Sequence, residues 1–203
     1  SLPNAPINET TLSISFLDVG QGDAIYIRAP HGQDLLIDGG PDDSVLHELS
    51  RVMPGGDRTL DMVIATHPDK DHIAGLVSVF DEYEIKNFLS SEVSSGTSFD
   101  EVLRRRTVDE KGLVTTVARR RHRIVLAPVS GVYLDILFPD QDTSSWKETN
   151  DASIVARLVY GETSVMLTGD APESVESFLV AHDGTALASN ILKLGHHGSK
   201  TSS

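Results

Sequence analysis

Four side chains able to bind a metal ion sit within the six residues His67-Pro68-Asp69-Lys70-Asp71-His72. They follow Asp61 to Ala65, a short apolar run that reads as a buried strand. Imidazole and carboxylate are the usual ligands of zinc, manganese and iron. Four such groups on one loop cannot all reach one ion comfortably, so the spacing points to two. A lone His-x-Asp is most often just an exposed polar turn; the whole string at a strand end is much harder to read that way.

Three further groups repeat the same arrangement, an apolar strand followed by a ligand-type residue in a glycine-bearing turn. Asp38 ends Leu35-Leu36-Ile37, Asp170 ends Val165-Met166-Leu167-Thr168-Gly169, and His196 and His197 end Ile191-Leu192-Lys193-Leu194-Gly195. Each alone could be a cap or a surface turn. Together they describe ligands converging from several strand ends, which is how a rigid scaffold fixes a metal site. Two ions some 3.5–4 Å apart can share a hydroxide and bind both sides of a phosphoryl group.

The elements that must position these groups are legible along the chain. Strands are expected at Leu12 to Leu17, Ala24 to Arg28, Gln33 to Ile37, Asp61 to Ala65 and Ile85 to Leu89, with three more between Leu113 and Phe138. A hairpin is expected from Ser153 to Tyr160 and Thr163 to Thr168, and a last strand at Ile191 to Leu194. Helices are expected at Ser44 to Met53, Ile73 to Phe80, Ser98 to Glu110 (capped by Ser98, with Glu101 closing a capping box) and Pro172 to Val180. Runs of strands with helices between them indicate an α/β sandwich, two sheets covered by helices. The seven strand-end groups Asp38, His67, Asp69, Asp71, His72, Asp170 and His196 are then expected around one cleft.

Three look-alikes fail. Gly20-x-Gly22 has Ile25 where a dinucleotide fingerprint needs glycine, and a strand follows it. Gly195 to Thr201 places its lysine one residue too early for a phosphate-binding loop. Asp69-x-Asp71 continues into Ile73 and Ala74, which no calcium loop tolerates.

Composition narrows the classes. The 203 residues carry 17 Lys+Arg against 30 Asp+Glu, a formal charge of −13, so any contact with a polyanion must be local. The absence of cysteine excludes disulfide partners, thiolate zinc sites and a cysteine nucleophile. No apolar run approaches the ~20 residues needed to cross a bilayer. Residues 1–11 read as a polar linker ahead of a domain spanning 12–203. Eight basic residues crowd into Arg104 to Arg123, opposed only by Asp109 and Glu110. They read either as two solvated faces or as a basic patch on an acidic body, with Arg119, Arg120 and Arg121 as candidate phosphate contacts. Ser199 and Lys200 could hold phosphate oxygens, or form a flexible chain end.

His67-x-Asp69-x-Asp71-His72 resembles the His-x-His-x-Asp-His signature of the metallo-β-lactamase fold, with Asp69 where the second histidine usually stands. Four further strings narrow the likeness: Phe16-Leu-Asp-Val-Gly-Gln-Gly-Asp23, Leu36-Ile-Asp-Gly-Gly40, Leu167-Thr-Gly-Asp170 and Gly195-His-His-Gly-Ser199. They resemble the metallo-β-lactamase-like domain of the ComEC competence family, which moves DNA across the bacterial membrane. The resemblance implies an αββα sandwich and two divalent ions, Zn or Mn. It places His67 and Asp69 on one ion, Asp71 and His72 on the other, and Asp170 between them. His196 or His197 completes the site, and Asp38 orients a ligand from behind. Asp71, Asp170 and His196 are the residues implied in catalysis. Asn150-Asp151-Ala152-Ser153 occupies the stretch where the superfamily usually has a histidine; Asn-x-x-Ser fits the ComEC branch, with Asn150 in a supporting position.

The activity implied is metal-dependent hydrolysis of DNA phosphodiesters during uptake, at the extracytoplasmic face of the membrane, with membrane contact only through segments outside this chain. The branch normally continues beyond the equivalent of Ser203, so the domain is expected to be incomplete at its C-terminal end. Two other readings stand beside this one: hydrolysis of a small ester or phosphoester by the same fold, and a non-catalytic domain that kept the fold while its site decayed.

Overall fold

A computed structural model describes residues 11–198. The chain divides into two compact units. Among the described residues, the first holds 11–65, 69–89 and 96–116, and the second holds 66–68, 90–95 and 117–198.

The first unit begins with β1 (Ser13–Phe16), β2 (Ile25–Arg28) and β3 (Asp34–Ile37), an antiparallel meander. Next come α1 (Ser44–Val52), β4 (Thr59–Leu60), β5 (Met62–Ala65) and α2 (Lys70–Glu82). They are followed by β6 (Glu84–Ile85), β7 (Asn87–Ser90), α3 (Ser98–Asp109) and β8 (Val114–Val117). The large sheet runs β1-β2-β3-β5-β7-β8, and β4 and β6 form a two-stranded sheet. β3 and β5 are parallel, with Leu36 against Val63 and Ile37 against Ile64. Parallel strands that are buried throughout read as unbroken apolar runs, and Leu35-Leu36-Ile37 and Val63-Ile64-Ala65 do so. Val45 and Leu49 of α1 and Ile73, Leu76, Val79 and Phe80 of α2 pack with Tyr26, Leu36 and Val63 in one core. Because β3 and β5 run the same way, their C-terminal ends lie on the same side of the sheet.

The second unit contains β9 (Arg123–Ala127), β10 (Val132–Phe138), β11 (Val155–Tyr160), β12 (Thr163–Leu167), α4 (Glu173–Asp183) and β13 (Ile191–Lys193). Its sheet runs β13-β12-β11-β10-β9, with β12 and β13 parallel. β10 alternates buried and half-buried residues, as a strand with one covered face must. Phe138, Val155, Met166, Val175 and Leu179 form a core, edged by Trp146 and Phe178.

Three local expectations need correction. α2 starts at Lys70, not Ile73, so Asp71 and His72 lie on its first turn rather than on a loop. The polar residues Lys70 and Asp71 break the apolar period that marks the rest of that helix. Thr97, not Ser98, caps α3: its hydroxyl accepts from Asp100 N at 3.4 Å. With the cap one residue earlier, Glu101 falls outside the capping-box position. Finally, the single strand expected at Ile85 to Leu89 is two, β6 and β7, with Lys86 between them.

Arg119 and Arg120 are half-buried and are engaged by partners within the fold. The Arg119 guanidinium is held by the Glu92 carboxylate and the Ala118 carbonyl. Arg120 binds Asp183 with both terminal nitrogens, at 2.7 and 2.6 Å, and donates to the Leu137 carbonyl at 3.0 Å. Arg104 and Arg106 pair with Asp100 and Asp81, and Arg123 with Asp135. Arg105, Lys111 and Arg121 are exposed. The guanidinium of Arg120 holds the Asp183 carboxyl below the usual carboxylate range. Arg120→Gln is therefore expected to cost ~2 kcal/mol at neutral pH, the scale of hydrogen bonds to a charged group. A depressed carboxyl stabilises the fold above its unfolded value near pH 4 and loses that effect as pH falls through its folded value. Urea titrations of both chains should show the difference at pH 7 and its shrinkage by pH 3.

Candidate metal centre

In the first unit the site is built on α2. Asp69 precedes the helix with an extended backbone (ψ 147°), and its carbonyl accepts from His72 N and Ile73 N, both at 3.0 Å. The Asp38-Gly39-Gly40 turn seats this first turn through main-chain atoms. Gly39 N donates to His72 O at 2.7 Å, and Gly75 N donates to Gly40 O at 3.0 Å. A Cβ on Gly75 would lie 1.9 Å from the Gly39 carbonyl oxygen, so only glycine allows the approach. Asp38 has φ +57°, a left-handed conformation that aspartate tolerates better than most residues. That turn sends its carboxylate back onto the helix, where Oδ2 accepts from His72 Nδ1 at 2.8 Å. Both side chains are buried. A histidine whose Nδ1 proton is held this way carries its lone pair on Nε2, the arrangement by which carboxylates orient metal-binding imidazoles.

The turn between β1 and β2 closes on the same helix. A Cβ on Gly22 would fall 1.8 Å from Asp71 O, Gln21 Nε2 donates to Asp71 Oδ2 at 3.4 Å, and Asp23 O accepts from Gly40 N at 2.9 Å. Ligand-type atoms of Asp23, Asp38 and His72 lie within 4.8 Å of one another.

The second unit supplies the other pair. His67 and Asp170 are both buried, and each offers a ligand atom within 4.8 Å of the other. His67 follows Thr66, whose Oγ1 lies 3.0 Å from His67 Nδ1. Asp170 follows Gly169, whose φ of +52° reverses the chain at the end of β12. Lys193 donates from Nζ to Gly169 O at 3.0 Å and stands 3.9 Å from Asp170 Oδ1, which ties β13 to that turn. His196 N donates to Gly169 O at 3.4 Å, so the Gly195–Gly198 turn runs beside Asp170.

The expected site residues are therefore distributed as follows. Asp38 and His72 are joined in one unit, and His67 and Asp170 in the other. Asp69, Asp71 and His196 are half-buried. Asn150 begins a short 3-10 turn, Asn150–Ala152, in the second unit. The side chain of His197, and Ser199 and Lys200, lie outside the described residues. Sequence reasoning passed over Thr66, Lys193, Gln21 and Asp23 as members of the site. Asp23 had a signal, the close of the Gly20-Gln21-Gly22-Asp23 turn; Thr66 and Lys193 had none beyond standing next to strand ends.

Two buried imidazoles, each with Nδ1 engaged, beside buried carboxylates make a nitrogen-and-oxygen donor set that fits a divalent ion. A sequence model of the metallo-beta-lactamase superfamily matches residues 17–203.

The chain belongs to the metallo-beta-lactamase superfamily.

Among solved metallo-beta-lactamase-fold proteins, it is similar to MEM-A1, a subclass B3 metallo-beta-lactamase from a soil metagenome. The TM-score is 0.56 and the identity 14%, covering 92% of this chain and 75% of that one. It is similar also to CmlA, a diiron β-hydroxylase from Streptomyces venezuelae, with a TM-score of 0.58 and 14% identity over 91% of this chain and 35% of that one. These likenesses show the metallo-beta-lactamase fold and leave the reaction open. Closer in sequence are ComE operon protein 3 of Bacillus subtilis and competence protein ComA of Neisseria gonorrhoeae. The first is 26% identical over 93% of this chain, the second 29% over 97%. The chain spans about a quarter of the length of these curated relatives.

Proposed function

We propose that this chain is a metal-dependent phosphodiesterase that cuts DNA, acting in DNA uptake. The observation that carries the metal-dependent part is the buried His67–Asp170 pair with Thr66 behind the imidazole. The DNA part is supported by the likeness to competence protein ComA of Neisseria gonorrhoeae. His67, Asp69, Asp71, His72, Asp170 and His196 would hold two ions, Zn or Mn. When bound, such ions supply a hydroxide at neutral pH and offset charge on a phosphoryl group.

The chain's own residues do the rest. Thr66 and Asp38 fix the rings of His67 and His72. Lys193 anchors the turn bearing Asp170 and lowers the cost of burying its charge. Gln21 holds the Asp71 carboxylate on the first turn of α2. Within the basic cluster, Arg105, Lys111 and Arg121 are exposed and would be available to a phosphate backbone, while Arg119 and Arg120 are engaged by Glu92 and Asp183. No helix among the described residues is long and apolar enough to cross a membrane. Placement at the extracytoplasmic face, through segments outside this chain, is part of the same proposal.

The test is a substrate panel on the purified chain, with linear DNA, bis-p-nitrophenyl phosphate and p-nitrophenyl acetate, each with Mn²⁺, Zn²⁺ or chelator. The expected result is ion-dependent cleavage of the two phosphodiesters. Ion-dependent cleavage of the acetate alone would move the function to small esters, and cleavage of nothing would leave a non-catalytic domain.

A further inference from the structure

We propose that Lys70 and Phe99 form a seat for one unpaired nucleotide, the phenyl ring stacking on the base and the ammonium binding the adjoining phosphate, so that single-stranded DNA is preferred over duplex. The inference rests on the DNA reading above and adds two contact residues and a strand preference to it.

The seat lies within the first unit, where α2 and α3 run side by side. Two contacts fix their direction. At one end the Lys70 ammonium lies over the Phe99 ring, 5.5 Å from its centroid. At the other end Arg106 pairs with Asp81 at 2.8 Å. Lys70 and Asp81 stand about three turns apart on α2, and Phe99 and Arg106 about two turns apart on α3, so each pair shares a face and the helices are parallel. Val79 and Leu103 close the core beneath them. The two N-terminal ends therefore meet, and the seat falls on the same helical turn as Asp71 and His72.

Both groups face solvent. The Phe99 ring is more than a third exposed, whereas Phe80, Phe88 and Phe138 are buried. Lys70 is exposed and, among the described residues, joins no salt bridge, while Arg104 and Arg106 of α3 are each paired with a carboxylate. Lys70 is also the first residue of α2, where the positive end of the helix dipole disfavours a cation. Helix stability does not select a lysine there; an anion arriving at that turn turns the cost into a gain.

An exposed ring beside a free cation is the combination by which proteins hold single strands without reading sequence, since every base has a π-face and every nucleotide a phosphate. The attraction of an ammonium for an exposed ring is weak. A phosphate can therefore draw the Lys70 ammonium aside while the base takes the face of Phe99. In a duplex each base is paired and stacked, and reaching a ring means unstacking it first. A single strand or a frayed end avoids that cost.

The experiment measures Mn²⁺-dependent cleavage of a single-stranded oligonucleotide and its duplex, together with fluorescence-anisotropy binding, in chelator, of the single strand and of an abasic strand of the same length. Phe99→Ala should raise the KM for the single strand about tenfold, the scale of one lost base stack, and the KM for the duplex less. Its affinity for the single strand should fall to that for the abasic strand. Phe99→Trp should keep the single-strand affinity, whereas Phe99→Leu, which fills the space without a π-face, should lose it as Phe99→Ala does. Lys70→Gln should flatten the fall of log affinity with log salt by about 0.7, the share of one phosphate on a single strand, and Lys70→Arg should keep the slope. Wild-type single-strand KM in Phe99→Ala overturns the proposal. So does single-strand affinity retained in Phe99→Leu, which makes the pair a brace between helices and also decides the case if Phe99→Ala does not fold. A wild-type chain that cuts bis-p-nitrophenyl phosphate but no DNA is a different failure: it removes the DNA reading itself.

Discussion

Asp170→Asn is expected to abolish ion-dependent hydrolysis and to lower divalent-ion affinity by more than about 100-fold while leaving the chain folded. Loss of an outer partner of a metal ligand typically costs 10–100-fold, so loss of a charged ligand lies beyond that range. The fold should survive for three reasons. Asn matches Asp in shape. The turn that presents it is set by Gly169 at φ +52° and by Lys193 donating to the Gly169 carbonyl, neither of which needs the carboxylate. The neighbouring core of Phe138, Val155, Met166 and Leu179 is untouched. Thermal melts and metal analysis of the two proteins, prepared alike, check it. A variant that holds ions and cuts substrate as the wild type does would remove Asp170 from the site.

The second large effect is structural. Gly75→Val should destabilise the chain by about 3 kcal/mol or more, since overpacking a close contact costs typically 1–3 and occasionally more. A Cβ at this position meets two carbonyl oxygens, Gly39 O at 1.9 Å and Asp42 O at 2.4 Å, and backbone cannot swing aside as a flexible side chain can. The displacement falls on the first turns of α2, where Gly39 N grips His72 O and Asp38 grips the His72 ring. Urea unfolding gives the loss directly. An exposed control in the same helix, Glu82→Ala, should change stability by less than about 0.5 kcal/mol.

The parts of the fold that could be read from the chain are those with a period. β3, β5 and β12 are apolar runs ending in Asp38, Thr66 and Gly169-Asp170, and both the strands and the residues after them are where the pattern placed them. What could not be read was set by partners distant in sequence or by main-chain geometry. The start of α2 depends on a carbonyl, that of Asp69, and on the Gly39 and Gly40 peptides, none of which has a side-chain signature. The fate of the arginines was equally hidden. Arg120 finds Asp183 63 positions along the chain and Arg119 finds Glu92 27 positions back, so a cluster that looks like a surface patch in one dimension is partly interior bracing in three. Within the site, carboxylates and imidazoles were visible by type, whereas Thr66 and Lys193 acquire their roles only when strand ends meet.

The glycine seating of α2 separates the job of holding the helix from the job of choosing what it carries. Gly39, Gly40, Gly75 and the Asp69 carbonyl grip the helix by peptide groups alone. Positions 69 and 71 therefore ride on a mount whose main grip is through the backbone. Such a mount lends itself to retooling. Exchanging Asp69 for histidine would change the chemical appetite of the site without asking the scaffold to be rebuilt, much as a lathe accepts a new cutter in the same chuck.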